Sequence, residues 1–243
     1  MPAGNLTLSG NTGSVVRWES AVAPFSTFTP IANTTTTQSG GSPTQTIHYR
    51  AVVQSGSCAP VTTASFIITV TPSSVGGTVS SNQTICAGSP VATLNLTGQT
   101  GSITKWQSAS DAAFTTPTDI AGTSGFTSYT PVGVSSNTYY RAVVTSGGCT
   151  PANSASALIT VNAAPVAGTL SGTNAVCSGN SPGNLTLSGQ TGTISFWQSK
   201  TGTSWVNISN TTTTYNPGAL TVTTQFRVVV SSGSCPADTT PAF

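Results

Sequence analysis

The chain has 243 residues, of which only six are Lys or Arg and four are Asp or Glu, so its formal net charge is +2. Because the basic residues are few and scattered singly, the composition argues against a nucleic-acid-binding surface. No apolar run is long enough to span a membrane. An apolar fraction of 36% combined with so little charge also argues against a disordered polyampholyte.

Three copies of one unit fill the chain. The segment HYRAVV at 48–53 recurs as YYRAVV at 139–144 and as QFRVVV at 225–230. This period predicts three domains, here called repeats 1, 2 and 3, at residues 1–71, 77–162 and 168–243. The linkers at 72–76 and 163–167 are short and contain proline, so we expect them to be stiff and the domains to form a linear array.

Both ends of the chain cut through a repeat in this alignment. Cys86 and Cys177 each stand 20 residues before a tryptophan, and counting back 20 residues from Trp18 passes the first residue. At the other end, 235–243 aligns with 58–66, where repeat 1 continues with IITV. We therefore expect repeat 1 to lack its first strand, repeat 3 to lack the end of its last strand, and the chain to be a window on a longer array.

Repeat 2 shows the predicted strands most clearly. They are short, rich in Thr, Val, Ile and Tyr, and bounded by clusters of Gly, Pro, Asn or Ser: 78–80, 93–97, 103–108, 127–130, 138–145 and 157–161. No segment has the apolar spacing and caps of a helix. Six or seven short strands in about 90 residues predict an all-β chain of tandem immunoglobulin-like β-sandwich domains.

The five cysteines predict one disulfide for each domain. Repeats 2 and 3 each contain two, so we expect Cys86 to pair with Cys149 and Cys177 to pair with Cys235. Cys58 would then pair with a cysteine upstream of Met1. Free thiols are the alternative. Simple sandwich topology places Cys86 and Cys149 at opposite ends of the domain unless the first strand is split.

One pattern occurs in all three copies and carries a resemblance. It runs from W-[EQ]-S through an aromatic, Ile-x-[GN] and a Thr-rich stretch to aromatic-Arg-x-Val-Val and Ser-Gly-x-Cys. This pattern resembles the tandem Ig-like repeats of giant secreted surface proteins of Bacteroidetes-type bacteria, among them gliding-motility adhesins and surface filaments. The resemblance implies an extracellular location on the bacterial cell surface and type IX secretion.

Several recurring side chains are candidates for the core or for a surface site. We expect a structural core of Trp18, Trp106, Trp197, Tyr140 and Phe226. An exposed row of the three recurring tryptophans, binding sugars, is the alternative. Arginines recur where charge is otherwise avoided, and each is expected to stack on a neighbouring aromatic residue or to bind anions or glycans: Arg50, Arg141 and Arg227. Trp205 is either a packing residue or a platform for sugars.

Catalytic and metal-binding patterns are missing from the sequence. The four acids are Glu19, Asp111, Asp119 and Asp238, and they neither recur in register nor form a repeated pair. A glycosidase needs two carboxylates across one bond, and a calcium site needs several oxygen ligands. His48 is the only histidine, and the cysteine spacings do not match a zinc site. The sequence therefore predicts a protein that is not an enzyme and that uses no cofactor.

The function indicated by these features is mechanical. We expect a stiff, disulfide-stapled stalk within a long bacterial adhesin or surface filament, serving attachment or gliding. The alternatives are a glycan- or matrix-binding module and a spacer of a secreted polysaccharide-degrading enzyme. Expected partners are the neighbouring repeats of the same chain, and a homo-oligomeric filament, surface glycans and other cells remain open.

Overall fold

The computed structural model describes residues 2–243, and the regular secondary structure of these residues is entirely β-strand. The chain divides into two compact units. One contains the residues up to Val75 together with Thr100–Ser102 and Thr145–Ala152. The other contains Gly76–Gln99, Ile103–Val144 and Asn153–Phe243. Repeat 1 thus shares a unit with one end of repeat 2, whereas the rest of repeat 2 shares a unit with repeat 3.

Repeat 1 contains seven strands: β1 (Asn5–Thr7), β2 (Ser14–Val22), β3 (Thr29–Ile31), β4 (Thr37–Ser39), β5 (Ile47–Gln54), β6 (Val61–Thr62) and β7 (Phe66–Ile68). Strands β1 and β4 form one small sheet. The second sheet has the order β3-β2-β5-β6, and β7 also pairs with β5. The buried core cluster of repeat 1 comprises Val15, Trp18 and Ala51.

Repeat 2 contains nine strands: β8 (Thr78–Val79), β9 (Gln83–Cys86), β10 (Leu94–Thr97), β11 (Ser102–Ala109), β12 (Thr118–Ile120), β13 (Ser128–Tyr129), β14 (Thr138–Thr145), β15 (Ala152–Asn153) and β16 (Ala157–Asn162). One sheet has the order β13-β10-β8, and the other has the order β12-β11-β14-β16-β9, with β15 beside β14. This pair of sheets is an immunoglobulin-like sandwich. Strand β9 runs parallel to β16, whereas β10 pairs antiparallel with β8 and β13, β11 with β12, and β14 with β16.

The core of repeat 2 lies between its two sheets and is larger than that of repeat 1. Trp106 and Ile159 are fully buried there, together with Leu94 from the opposite sheet. Alternating residues supply this core, since Leu94 and Leu96 on β10 point inward while Asn95 between them is exposed. Strand β10 thus buries one face, as expected from its alternating sequence.

Repeat 3 contains seven strands: β17 (Thr169–Ser171), β18 (Leu185–Ser188), β19 (Thr193–Lys200), β20 (Val206–Ile208), β21 (Thr214–Tyr215), β22 (Gln225–Ser231) and β23 (Asp238–Thr239). They form sheets of order β17-β18-β21 and β20-β19-β22-β23. Its core includes Trp197, Leu185 and Phe226. The prediction of an all-β chain of tandem immunoglobulin-like sandwiches is confirmed.

A glycine recurs in the turn before the tryptophan-bearing strand. Gly101 and Gly192 have φ angles of 115° and 108°, which side-chain-bearing residues rarely adopt. A Cβ at Gly101 would lie 2.6 Å from the carbonyl oxygen of Thr145, and one at Gly192 would lie 2.5 Å from that of Ser231. Only glycine fits at either position, so the close approach of these two turns to Thr145 and Ser231 requires it.

The predicted strands of repeat 2 all have a counterpart in the structure, and the segment 138–145 matches β14 at both ends. Three short strands were not predicted, namely β9, β12 and β15. Strand β9 is the important one, because it splits the first strand of the sandwich and carries Cys86 across to the sheet that contains β16.

Candidate functional site

A disulfide joins repeat 2 to repeat 3. It links Cys86 to Cys235, with a Cα–Cα distance of 4.9 Å and a sequence separation of 149 residues. The predicted pairs Cys86–Cys149 and Cys177–Cys235 are therefore wrong. The structure leaves Cys58, Cys149 and Cys177 as free thiols, and the expected partner of Cys58, upstream of Met1, lies outside the described residues.

The strand pairing explains why Cys86 meets a cysteine of the next repeat. In the parallel pairing of β9 with β16, Cys86 lies opposite Asn162, the last residue of repeat 2. The amide of Ala87 donates a hydrogen bond of 2.9 Å to the carbonyl oxygen of Asn162. Cys86 thus sits at the end of the domain that leads into the linker, where the hairpin containing Cys235 meets it.

The linker between repeats 2 and 3 is itself held in place. Val166 and Thr191 exchange two backbone hydrogen bonds, of 3.0 and 2.9 Å. The amide of Ala167 donates to a carboxylate oxygen of Asp238 at 2.8 Å. The Cys235 sulfur lies 3.5 Å from the carbonyl oxygen of Ala163. We call this arrangement a joint: it consists of the linker at 163–167, the hairpin that carries Cys235 and the turn that contains Thr191.

An equivalent joint exists between residues 71–75 and repeat 2. Val75 and Thr100 exchange two backbone hydrogen bonds, of 3.1 and 3.0 Å, as Val166 and Thr191 do. The amide of Ser146 also donates to the Ser74 hydroxyl at 2.9 Å. The two joints are therefore built alike, although only the second contains a disulfide among the residues that the structure describes.

Each recurring arginine lies on an aromatic ring. The guanidinium carbon is 3.7 Å from the ring centroid of Phe28 for Arg50 and 4.0 Å from that of Phe114 for Arg141. For Arg227 the distance to Trp205 is 4.2 Å. These contacts are cation–π interactions that also cover the ring. Phe28 was missed by the sequence analysis, because it follows its tryptophan by ten residues where Phe114 follows by eight.

The same arginines also bind a polar side chain on the neighbouring strand. Arg141 donates from Nε to the Gln107 side chain at 2.9 Å. Arg227 donates from Nε to Gln198 at 2.6 Å, in the equivalent position. In repeat 1 the acceptor is a carboxylate, Glu19, at 2.7 Å from Arg50 Nε. Each arginine is thus held by a ring and by a hydrogen bond, and Arg227 covers one side of the Trp205 ring.

Glu19 is a buried carboxylate with two arginine partners. Its side chain is 6% exposed and forms ion pairs of 2.7 Å with both Arg17 and Arg50. Burial raises the pKa of Glu19, but the hydrogen bonds and charges of the two arginines lower it by more, so this pKa lies below its ordinary value. The carboxylate therefore stays ionised and ties two strands of repeat 1 together.

The three recurring tryptophans lie in the cores. Trp106 and Trp197 are fully buried, and Trp18 is 4% exposed. Each indole Nε1 donates a 2.9 Å hydrogen bond to a loop carbonyl oxygen, that of Thr35, Phe126 or Thr212. Tyr140 and Phe226 are likewise buried in the cores of repeats 2 and 3. These positions leave no exposed row of tryptophans.

The Thr-rich runs at 34–37 and 211–214 form the loops that receive the Trp18 and Trp197 indole groups. The Asn33 side-chain oxygen accepts hydrogen bonds from the Thr35 amide and hydroxyl, at 2.9 and 2.8 Å, and its Nδ2 donates to the Thr37 carbonyl oxygen at 2.7 Å. Asn210 makes the same bonds with Thr212 and Thr214. The repeated Asn-Thr pattern thus closes a loop by side-chain bonding to the backbone.

A cleft of about 440 Å³ lies in repeat 3 between the segment 173–178 and the segment 220–224 that leads into β22. Leu185, Leu220 and Phe243 are among its lining residues. In repeat 2 the equivalent space is filled by β16, which lies between β9 and β14. The cleft therefore corresponds to a strand position of the sandwich.

No group of three or more His, Cys, Asp or Glu side chains within residues 2–243 is placed to hold a metal ion. In that same part of the chain, no helix has the length and apolarity needed to cross a membrane.

The fold and the two joints place the chain in the class of tandem immunoglobulin-like sandwich domains. The chain belongs to the family described as "Domain of unknown function (DUF8696)", whose model matches residues 2–72, 75–163 and 166–243. No curated protein sequence matches the chain.

Solved structures similar to the chain include several sets of consecutive domains. Titin domains A168–A170 are 15% identical with a TM-score of 0.42, covering 99% of this chain and 92% of that one. The FN1–FN3 domains of chicken CNTN1 are 12% identical with a TM-score of 0.32, covering 98% and 90%. Extracellular domains 3–5 of Drosophila OTK are 12% identical with a TM-score of 0.31, covering 99% and 90%.

Proposed function

We propose that this chain is a structural segment of a long extracellular protein of the bacterial cell surface, an adhesin or surface filament, in which it acts as a stiff stalk for attachment or gliding. The domains of this stalk are 1–71, 77–162 and 168–243. The observation that carries the proposal is the disulfide between Cys86 and Cys235, which ties one repeat to the next.

Two further features support a mechanical role. Both linkers are hydrogen-bonded to the repeat that follows them, which leaves fewer linker residues free to change conformation. The chain also has only ten charged residues, and its stability should therefore depend little on the salt concentration outside a cell. A disulfide is itself typical of proteins that fold in an oxidising compartment.

The disulfide changes the route of a pulling force. Force applied to the two ends would pass from Cys86 directly to Cys235, because the covalent bond is shorter than any path through the intervening chain. The stretch between them, which spans a sequence separation of 149 residues, is then shielded from extension. The chain between the cysteines would contribute about 500 Å if it were fully extended, at roughly 3.4 Å per residue.

Single-molecule pulling tests this proposal directly. We expect the oxidised protein to extend by about 500 Å less than the reduced protein. The Cys86→Ser variant should behave like the reduced protein under all conditions, whereas Cys58→Ser should behave like the wild type. Peptide mapping without reductant should recover Cys86 with Cys235. An oxidised protein that extends over its whole length would contradict the stalk.

The alternative function, binding of glycans or matrix, predicts a different result. A glycan array probed with the chain should show no binding that Trp205→Ala or Arg227→Ala abolishes, because these two side chains already pack on each other. Specific glycan binding lost in either variant would favour the binding module over the stalk.

A further inference from the structure

Cys149 occupies the same place in its joint as the bonded Cys235 does in the other. Each lies in the turn of a hairpin closed by the same backbone bond. The Cys149 amide donates to the Ser146 carbonyl oxygen at 3.0 Å, and the Cys235 amide donates to that of Ser232 at 2.9 Å. The two turns therefore present their sulfur atoms in equivalent positions.

The linker residues that face the two sulfur atoms are also equivalent. The Cys149 sulfur lies 3.5 Å from the Thr71 hydroxyl and 3.6 Å from the Pro72 carbonyl oxygen. In the sequence alignment, Thr71 and Pro72 correspond to Asn162 and Ala163, the residues next to the Cys235 sulfur. The first joint thus has one half of a disulfide already in place.

In the second joint, the other cysteine of the disulfide is supplied by strand β9 of repeat 2. There, β9 covers the outer edge of β16 in a register that runs from Gln83 opposite Ile159 to Cys86 opposite Asn162. This parallel pairing brings the Cys86 and Cys235 Cα atoms to 4.9 Å. The same strand also inserts Ile85, which is 8% exposed, into the core.

Strand β7 of repeat 1 is the counterpart of β16, and its outer edge is open. It pairs with β5 so that Ile68 lies opposite Ile47, just as Ile159 lies opposite Thr138. Within residues 2–243 no strand pairs with its other edge. Phe66 is 57% exposed and Ile67 is 51% exposed. An uncovered edge with apolar side chains is a template for the addition of another strand.

We propose that the open edge of β7 and the thiol of Cys149 together form a docking site for a parallel β-strand that ends in cysteine. The strand is of the Gln-Thr-Ile-Cys type seen at Gln83–Cys86, and it takes beside β7 the place that β9 takes beside β16. In the register of β9 on β16, its glutamine would lie opposite Ile68, the last residue of β7, and its cysteine opposite Thr71, beside the Cys149 sulfur. Each disulfide of such an array would then link the first cysteine of one repeat to the hairpin cysteine of the next.

The chemical step is an ordinary thiol oxidation. The thiol of the incoming strand and the thiol of Cys149 lose two protons and two electrons and form one S–S bond. A disulfide oxidant such as oxidised glutathione accepts the electrons and is released as two glutathione thiols. The inference does not depend on a cell-surface role, since it concerns pairing between repeats alone.

The test uses the synthetic peptide SNQTICAG, which has the sequence of residues 81–88. The intact chain is incubated with this peptide in a glutathione redox buffer, and peptide mapping locates the mixed disulfide. We expect at least about tenfold more peptide on Cys149 than on Cys58 or Cys177. Cys58 is the matched internal control, because it lies in the same type of hairpin, with its amide bonded to the Ser55 carbonyl oxygen. It differs from Cys149 in being exposed, without a linker against its sulfur.

Two controls separate strand docking from simple thiol reactivity. A peptide of the same composition in scrambled order should lose the preference for Cys149. Hydrogen exchange at Ile67–Val70 should slow with the native-order peptide and not with the scrambled one, and this measurement requires no variant. Equal labelling of the three cysteines, or equal labelling by the two peptides, would overturn the proposal.

Discussion

Repeats 1 and 2 end on equivalent strands, β7 and β16, but the two strands have different surroundings. Ile159 on β16 is fully buried because β9 covers the outer edge of that strand and β14 its inner edge. The equivalent Ile68 on β7 is only partly buried, and Phe66 and Ile67 beside it are exposed. The buried core cluster of repeat 1 consists of Val15, Trp18 and Ala51, whereas that of repeat 2 draws residues from both sheets.

The difference shows how much one short strand contributes to a small sandwich. Strand β9 has four residues, yet it closes a sheet edge, buries Ile85 and places Cys86 for bonding. Domains of this size bury little apolar surface in total, so a single edge strand is a large share of what stabilises them. Repeat 1 should accordingly be the less stable of the two, and the following substitutions probe that difference.

The largest loss of stability is expected from replacing the core tryptophans. Trp106→Ala should destabilise repeat 2 by about 3–5 kcal/mol, because it leaves a cavity in a closed core. Trp18→Ala should cost less, about 2 kcal/mol, because the smaller core around it can collapse. Hydrogen exchange of peptides from each repeat measures the two opening free energies separately. Equal losses in the two repeats would contradict the difference in core packing.

A smaller effect is expected from the Asn-closed loop, which repeat 1 has and repeat 2 lacks. Asn33→Ala removes hydrogen bonds to Thr35 and Thr37 and should destabilise repeat 1 by about 1–2 kcal/mol. The equivalent position in repeat 2 is Gly122, so that repeat does not use the loop. Asn184→Ala, at an exposed asparagine, is the control and should leave thermal unfolding unchanged within error.

The smallest effect at neutral pH, about 1 kcal/mol, is expected for Glu19→Gln. This substitution gives repeat 1 the glutamine that repeats 2 and 3 carry, and replaces the carboxylate that accepts from the charged Arg17 and Arg50 with a neutral amide. Because the pKa of Glu19 is lowered in the folded state, its contribution is present above the pKa of the unfolded chain. That contribution is lost as the pH falls through the folded pKa.

Acid titration followed by hydrogen exchange tests this pH dependence. Repeat 1 should lose protection in the acid range, and Glu19→Gln should make it much less sensitive to acid. Repeat 2 should respond weakly, because its carboxylate beside Gln107 is Asp119, whose side chain is 56% exposed and screened by water. If repeat 1 of the Glu19→Gln variant still loses protection in acid, the acid sensitivity comes from another titratable group.

The sequence predicted the sandwich but not the joint. Long strands such as β14 were predictable because TYYRAVVT has strong β-propensity over eight residues and places Tyr140, Ala142 and Val144, all buried, at alternate positions. The four residues of β9, QTIC, are too few to show such a pattern, and they become a strand only because β16 lies beside them. Tertiary pairing, which local propensity does not encode, decides such short elements.

The error in the disulfide pairs has a similar origin. Cys86 and Cys177 recur with the period of the repeat, and so do Cys149 and Cys235. Pairing inside each repeat and pairing to the next repeat are equally regular under that period, so recurrence cannot choose between them. The topology can choose, because the parallel strand β9 carries Cys86 to the linker end of its domain.

The 149-residue separation of Cys86 and Cys235 also matters after proteolysis. The disulfide and the chain between the two cysteines form a closed covalent ring that contains most of repeat 2 and repeat 3 up to its last hairpin. A protease that cuts once inside this ring converts it to an open chain, but both fragments stay attached through the sulfur atoms. Exposed loops such as the Thr-rich run at 211–214 can therefore be nicked without separating the two ends of the protein.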